Sequence, residues 1–131
     1  MRVLLVEDDY ATAQSMELMM RSEGIQVYMT DLGEEAIDLA QLYDYDVLLL
    51  DLCLPDMSGY QVLREWRAKG VTTPVLVVTG AAGDEAHAYE HGADGFYAKP
   101  FHKDELVSGL FTAVRKASGI SGRGGTPNWK R

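Results

Sequence analysis

Four apolar runs in this chain each end on residues that could do chemistry. Val3–Val6 runs into Glu7-Asp8-Asp9, Val47–Leu50 into Asp51, Val75–Val78 into Thr79-Gly80, and Phe96–Ala98 into Lys99-Pro100. Carboxylates gathered at about 4–5 Å repel by roughly 3–4 kcal/mol per pair at an effective dielectric near 20. A hard cation with a preference for oxygen removes that cost, and Mg²⁺ typically takes one or two carboxylates plus waters and a phosphate oxygen. An aspartate can act as a nucleophile and form an acyl phosphate, while a metal and an ammonium neutralise the transferred group. These types assign Asp51 as nucleophile, Lys99 as the neutralising cation and Thr79 as a hydroxyl donor to a phosphoryl oxygen. Gly80 leaves space beside them for the donor.

The runs themselves must position these groups. They are short and fully apolar, as expected of parallel strands covered on both faces. A further strand is expected over Ile25–Met29. Between the strands the sequence predicts helices over Ala11–Glu23, Gly33–Tyr43, from Gly59 to about Lys69, over Asp84–His91 and over His102–Lys116. Pro55–Gly59 reads as a loop. In the first helix Thr12, Met16, Met19 and Met20 form an inward stripe, and in the second Ala36, Ile37, Leu39 and Ala40 do so. Five alternations of β and α predict an α/β fold: a five-stranded parallel sheet, flavodoxin-like (βα)5, with helices on both faces and right-handed crossovers. Ligands in such sheets bind beyond the C-terminal strand ends, where the acids, the hydroxyl and the ammonium would meet.

Composition narrows the classes. The 131 residues fit one domain, and 47% apolar residues supply an ordinary core. A net charge of −8 argues against direct nucleic-acid binding; the basic residues cluster only near the C-terminus. The lone Cys53 cannot form an internal disulfide and suits a reducing compartment. No stretch approaches the roughly 20 apolar residues of a membrane span. A cytoplasmic protein without membrane contact is expected. Residues 118–131, SGISGRGGTPNWKR, are Gly-rich without periodicity and read as a flexible C-terminal tail.

The acid pair after the first strand, DLCLPDMSG led by Asp51, Thr79-Gly80 and Lys99-Pro100-Phe101 together resemble the receiver domains of response regulators. The resemblance covers residues 1–117. KPFHKDEL and the first half are similar to the receiver half of CtrA-type alphaproteobacterial cell-cycle regulators. It implies that Asp8 binds Mg²⁺ directly and Glu7 through water, with Asp51 and the backbone carbonyl of Cys53 as further ligands. It makes Asp51 the phosphoacceptor, Thr79 the switch hydroxyl, Lys99 the family's lysine and Phe96 the aromatic that turns inward when Thr79 moves. It also implies a Lys-Pro peptide that is often cis. The implied function is Mg²⁺-dependent transfer of phosphate from a phosphohistidine to Asp51, followed by a conformational change in partner binding. This is a signalling switch that promotes its own phosphorylation and slow dephosphorylation, and not a turnover enzyme.

Implied partners are a histidine kinase or histidine phosphotransfer protein and an output partner. Ala11, Gln14, Ser15 and Leu18, on the outer side of the first helix, form a candidate docking patch. Two departures from the family stand out. The interval from Thr79 to Lys99 is shorter than usual, so the fourth helix should be short or shifted by about half a turn. CtrA-type proteins continue into a DNA-binding domain where this sequence has a short tail, so a stand-alone protein or an excised receiver is expected, the Met1 start and unfamiliar tail favouring the former.

An alternative reading is a constitutive interaction module with a vestigial acidic site. A phosphohydrolase is disfavoured, because DLCLP lacks the acid two residues after the nucleophile that haloacid-dehalogenase-type enzymes use. His87, His91 and His102 suit surface or capping roles rather than a shared metal. Trp66 is expected on the exposed side of the third helix.

Overall fold

The unbroken apolar character of Val3–Val6, Val47–Leu50 and Val75–Val78 follows from strands covered on both faces of the sheet. The computed structural model describes residues 1–80 and 85–118, and in it five strands alternate with five helices. They are β1 (Arg2–Val6), α1 (Tyr10–Arg21), β2 (Gln26–Thr30), α2 (Gly33–Leu42), β3 (Val47–Leu50), α3 (Gly59–Ala68), β4 (Val75–Thr79), α4 (Glu85–Glu90), β5 (Gly95–Ala98) and α5 (Lys103–Ala117). All pairings are parallel, in the order β2-β1-β3-β4-β5. The expected topology is therefore present, and the sense of winding reverses between β1 and β3.

Alternation along each strand feeds two cores. Val3 and Leu5 of β1 join Met16 and Met20 of α1 and Leu106 and Leu110 of α5 on one side. Leu4 and Val6 join Ala36, Val62, Leu63 and Trp66 on the other. Trp66 is fully buried, which corrects the exposed position expected for it. Its indole Nε1 donates to the carbonyl of Ala36 at 3.0 Å, so the ring buries its apolar body while its single donor is satisfied.

Helix ends account for most boundary differences. Asp9 caps α1 through Thr12, so this acid is a structural group. The helix stops at Arg21, two residues before the expected Glu23, and the chain reverses at Gly24 with φ +77°. Ser58 caps α3 by accepting from Tyr60 N. At the start of α5, Glu105 accepts from the N–H of His102. Among the described residues helix α4 covers Glu85–Glu90; the expected first residue of this helix, Asp84, falls outside the described residues, as do residues 119–131 of the expected tail.

One side chain ties α3 to the elements that follow. The Arg67 guanidinium donates to the Gly92 carbonyl from Nε and Nη2 (3.2 and 2.8 Å) and to the Val71 and Thr73 carbonyls from Nη1 (2.9 Å each). It also reaches Asp94 Oδ2 at 3.0 Å, and the same oxygen accepts from Val75 N. Gly92 sits at φ +105°, a backbone conformation that favours glycine, and a Cβ there would press on Arg67 Cγ and Nε at 3.0 Å.

Candidate functional site

The sheet ladders extend into the residues that carry chemistry, so their positions are set by strand register. Glu7 N donates to Thr30 O, Asp51 N to Val6 O and Lys99 N to Thr79 O, at 2.9–3.0 Å. Glu7, Asp8 and Asp51 consequently converge, each offering a carboxylate oxygen, with these oxygens within 4.8 Å of one another. Glu7 and Asp51 are buried and Asp8 is exposed, so the group opens to solvent on one side. The cluster sits where strand order reverses, beyond the C-terminal ends of β1 and β3.

Lys99 reaches across from the end of β5. Its ammonium pairs with Glu7 and lies 3.5 Å from Asp51 Oδ2. Sequence reasoning assigned this lysine to a phosphoryl group; it is also the counter-ion of two carboxylates without one. The positive charge does not fully offset confinement. Glu7 is pushed up to about 7, first by burial and then by its hydrogen bond and charge repulsion with Asp51, against the opposing pull of Lys99.

Thr79, the last residue of β4, is fully buried and lies in register with Ala98, next to Lys99. Phe96 pairs with Val77, two residues before Thr79, and its half-buried ring packs against the core on the α2 and α3 side. The Lys99-Pro100 peptide is cis. Cys53 is exposed; its N–H donates to Asp51 Oδ1 at 3.3 Å, and it bridges to Ser58 across the loop. Gly59 closes that loop tightly: a Cβ there would meet Asp51 O at 2.5 Å and Leu52 Cα at 2.6 Å. The three acids, Lys99 and Thr79 are thus assembled at one edge.

Ala11, Gln14, Ser15 and Leu18 are all exposed, Leu18 by 71%. Ala11 and Ser15 line a hollow of about 470 Å³ together with Met19 and Lys99-Pro100-Phe101. Gln14 donates to Tyr10 Oη. His87 and His91 form ring contacts with one another and with Tyr60, while His102 starts α5. What the sequence reading missed is Asp56, whose carboxylate accepts from Gly33 N and Glu34 N at 2.8 and 3.0 Å. Its place in a Pro-Asp turn marked it only as loop.

This fold and cluster define a class of phosphate-linked signalling module, and sequence comparison agrees. Residues 3–111 match the response regulator receiver domain, and the chain belongs to that family. It is 58% identical over 121 residues to the cell cycle response regulator CtrA of Brucella ovis, covering 91% of this chain and 52% of that protein. The chain therefore spans about half the length of that relative. The signal receiver domain of a LuxO-type repressor protein from Vibrio parahaemolyticus superposes with TM-score 0.86 at 28% identity, covering 95% of this chain and 98% of the other. The receiver domain of a sensor histidine kinase from Pseudomonas aeruginosa PAO1, solved with a magnesium ion in its active-site cleft, gives TM-score 0.79 at 32% identity over 90% and 97%. Among the described residues, no helix is long and apolar enough to cross a membrane.

Proposed function

We propose that this receiver domain is a working phospho-switch in which Asp51 accepts a phosphoryl group from a phosphohistidine with the help of Mg²⁺. The observation that carries the reading is the convergence of Glu7, Asp8 and Asp51 within 4.8 Å, with the Lys99 ammonium on two of them. The oxygen-only donor set and its excess negative charge fit a hard divalent cation. Asp8 and Asp51 would hold it directly, Glu7 through water, and the Cys53 carbonyl would complete the protein's share. Bound Mg²⁺ supplies charge neutralisation at the transferred phosphoryl group.

The chain's own residues do the rest. Asp51 is presented beside a loop pinned by Gly59; Cys53 N–H holds Oδ1, and Oδ2, beside Lys99, is the oxygen that would attack. Lys99 is already within 3.5 Å of that carboxylate and need move little to meet a phosphoryl oxygen. Thr79 donates its hydroxyl to another phosphoryl oxygen, and Phe96 follows inward. The added charge at Asp51 biases the two states. The donor is a histidine kinase or histidine phosphotransfer protein docking on Ala11, Gln14, Ser15 and Leu18. The exposure of these residues and the adjoining hollow beside Lys99 support that surface. Dephosphorylation is slow and intrinsic, and the working compartment is the cytoplasm.

Amide NMR with Mg²⁺, before and after beryllofluoride, tests the proposal beside an Asp51→Asn control. Shifts centred on Asp51, Thr79 and Phe96 that vanish in the control are expected. An unchanged spectrum at saturating Mg²⁺ would leave a constitutive interaction module as the better account.

A further inference from the structure

The two segments that carry the acids are not bonded only to each other. Glu7 N donates to Thr30 O at 3.0 Å, so the β1 end rests on the β2 end. Leu32 N then donates to Thr30 Oγ1 at 3.3 Å, which fixes the turn from β2 into α2. Helix α2 begins there without a cap of its own, because the residue at its N-cap is Leu32. The missing acceptor comes from 23 residues further on. Asp56, in the loop after Asp51, accepts from Gly33 N with one carboxylate oxygen and from Glu34 N with the other. Met57 closes against the same spot, where a Cβ on Gly33 would meet its Cγ at 2.6 Å.

A circuit results. It runs from Glu7 to Thr30, through the turn to Gly33 and Glu34, across to Asp56, and back along the loop to Asp51. The loop cannot absorb a change at Asp56 easily, since Gly59 N is bonded to Leu52 O at 2.8 Å and Cys53 N to Asp51 Oδ1. The turn Thr30–Glu34 contributes no carboxylate to the acidic group, yet both sides of that group are fastened to it. We propose that Asp56 is a positioning residue that sets the spacing between the Glu7-Asp8 and Asp51-Cys53 sides of the cation site. This inference rests on the cation-binding reading above and adds the group that tunes it.

The nature of the cation supplies a discriminating test. Mg²⁺ demands near-ideal octahedral geometry at 2.0–2.1 Å, whereas Ca²⁺ accepts longer and more variable shells. A site whose two sides have come loose should therefore lose Mg²⁺ far more than Ca²⁺. Titration of the full chain with each metal would compare wild type, Asp56→Ala, Asp56→Asn and Val114→Ala, the last a core truncation in α5 remote from the site. Asp56→Ala should weaken Mg²⁺ about tenfold, the scale seen when supporting partners of metal ligands are removed, and Ca²⁺ less than twofold. Asp56→Asn keeps one acceptor oxygen and should fall between. Val114→Ala should leave both affinities unchanged despite its lower melting temperature. A wild-type Mg²⁺ to Ca²⁺ ratio in Asp56→Ala, or in Asp56→Asn if the alanine variant does not fold, overturns the inference and leaves Asp56 as a helix cap. A wild type that binds no Mg²⁺ removes the functional reading, and this inference with it.

Discussion

Replacing Asp51 by asparagine should make the metal-free protein more stable, although it removes a charged partner of Lys99. At the 4.8 Å limit of the acidic group and an effective dielectric near 20, Asp51 is repelled by each of Glu7 and Asp8 by about 3.5 kcal/mol. Against this stands its attraction to Lys99 at 3.5 Å, about 4.7 kcal/mol on the same scale. Asp8 is exposed, so solvent screens part of its share. The net release on substitution is about 1–2 kcal/mol, because Lys99 keeps Glu7 as partner and the amide oxygen of asparagine still accepts from Cys53 N. For a domain of this size that corresponds to a rise of roughly 3–8 °C in Tm. Thermal unfolding at pH 8 in EDTA should show the gain. In saturating Mg²⁺ the order should reverse, since a ligand at about 100 times its Kd adds about 2.7 kcal/mol to the protein that binds it. An Asp51→Asn protein that is less stable than wild type in EDTA, or one that Mg²⁺ stabilises as much as wild type, would refute the electrostatic account.

The same crowding predicts a pH dependence. Glu7 rises from 4.5 to about 7 on folding, so the folded state binds the extra proton and stability is highest below pH 4.5 for this group. Between pH 4.5 and 7 the metal-free protein should lose on the order of 2–3 kcal/mol from this source; urea midpoints in EDTA should fall across that window in wild type and stay flatter in Glu7→Gln. Thr79→Ala should hold Mg²⁺ within about twofold, since the hydroxyl is not among the carboxylate donors, yet lose the beryllofluoride-induced shift at Phe96. Calorimetry and amide NMR on one sample would separate the two effects, and loss of Mg²⁺ binding would contradict the assigned role of Thr79.

Much of this was legible because the informative signals are local. An all-apolar strand such as Val47–Leu50 signals two covered faces, and the residue that follows it must then emerge at the sheet edge. That logic placed Glu7, Asp51, Thr79 and Lys99 together before any coordinates. It failed for Trp66, where helical spacing alone does not show that α2 presents the Ala36 carbonyl to the indole. Nor could it find Asp56, whose partners lie 23 and 22 residues away along the chain. The pairing of Lys99 with Glu7 was hidden for a similar reason: it spans 92 residues and depends on the strand order. Local pattern fixes what a residue can do, and only topology chooses its partner.

The Arg67 staple bears on how α4 can move. Its guanidinium grips the Gly92 carbonyl just past the end of that helix, and the Asp94 carboxylate locks the same corner to the start of β4. Glu85, at the opposite end of α4, follows Thr79 by six positions in the chain. The helix is thus tied down at its C-terminal corner, and any motion that reaches α4 should displace His91 least. Faster hydrogen exchange at the His91, Gly92 and Ala93 amides in Arg67→Lys than in wild type would be the mark of that anchor.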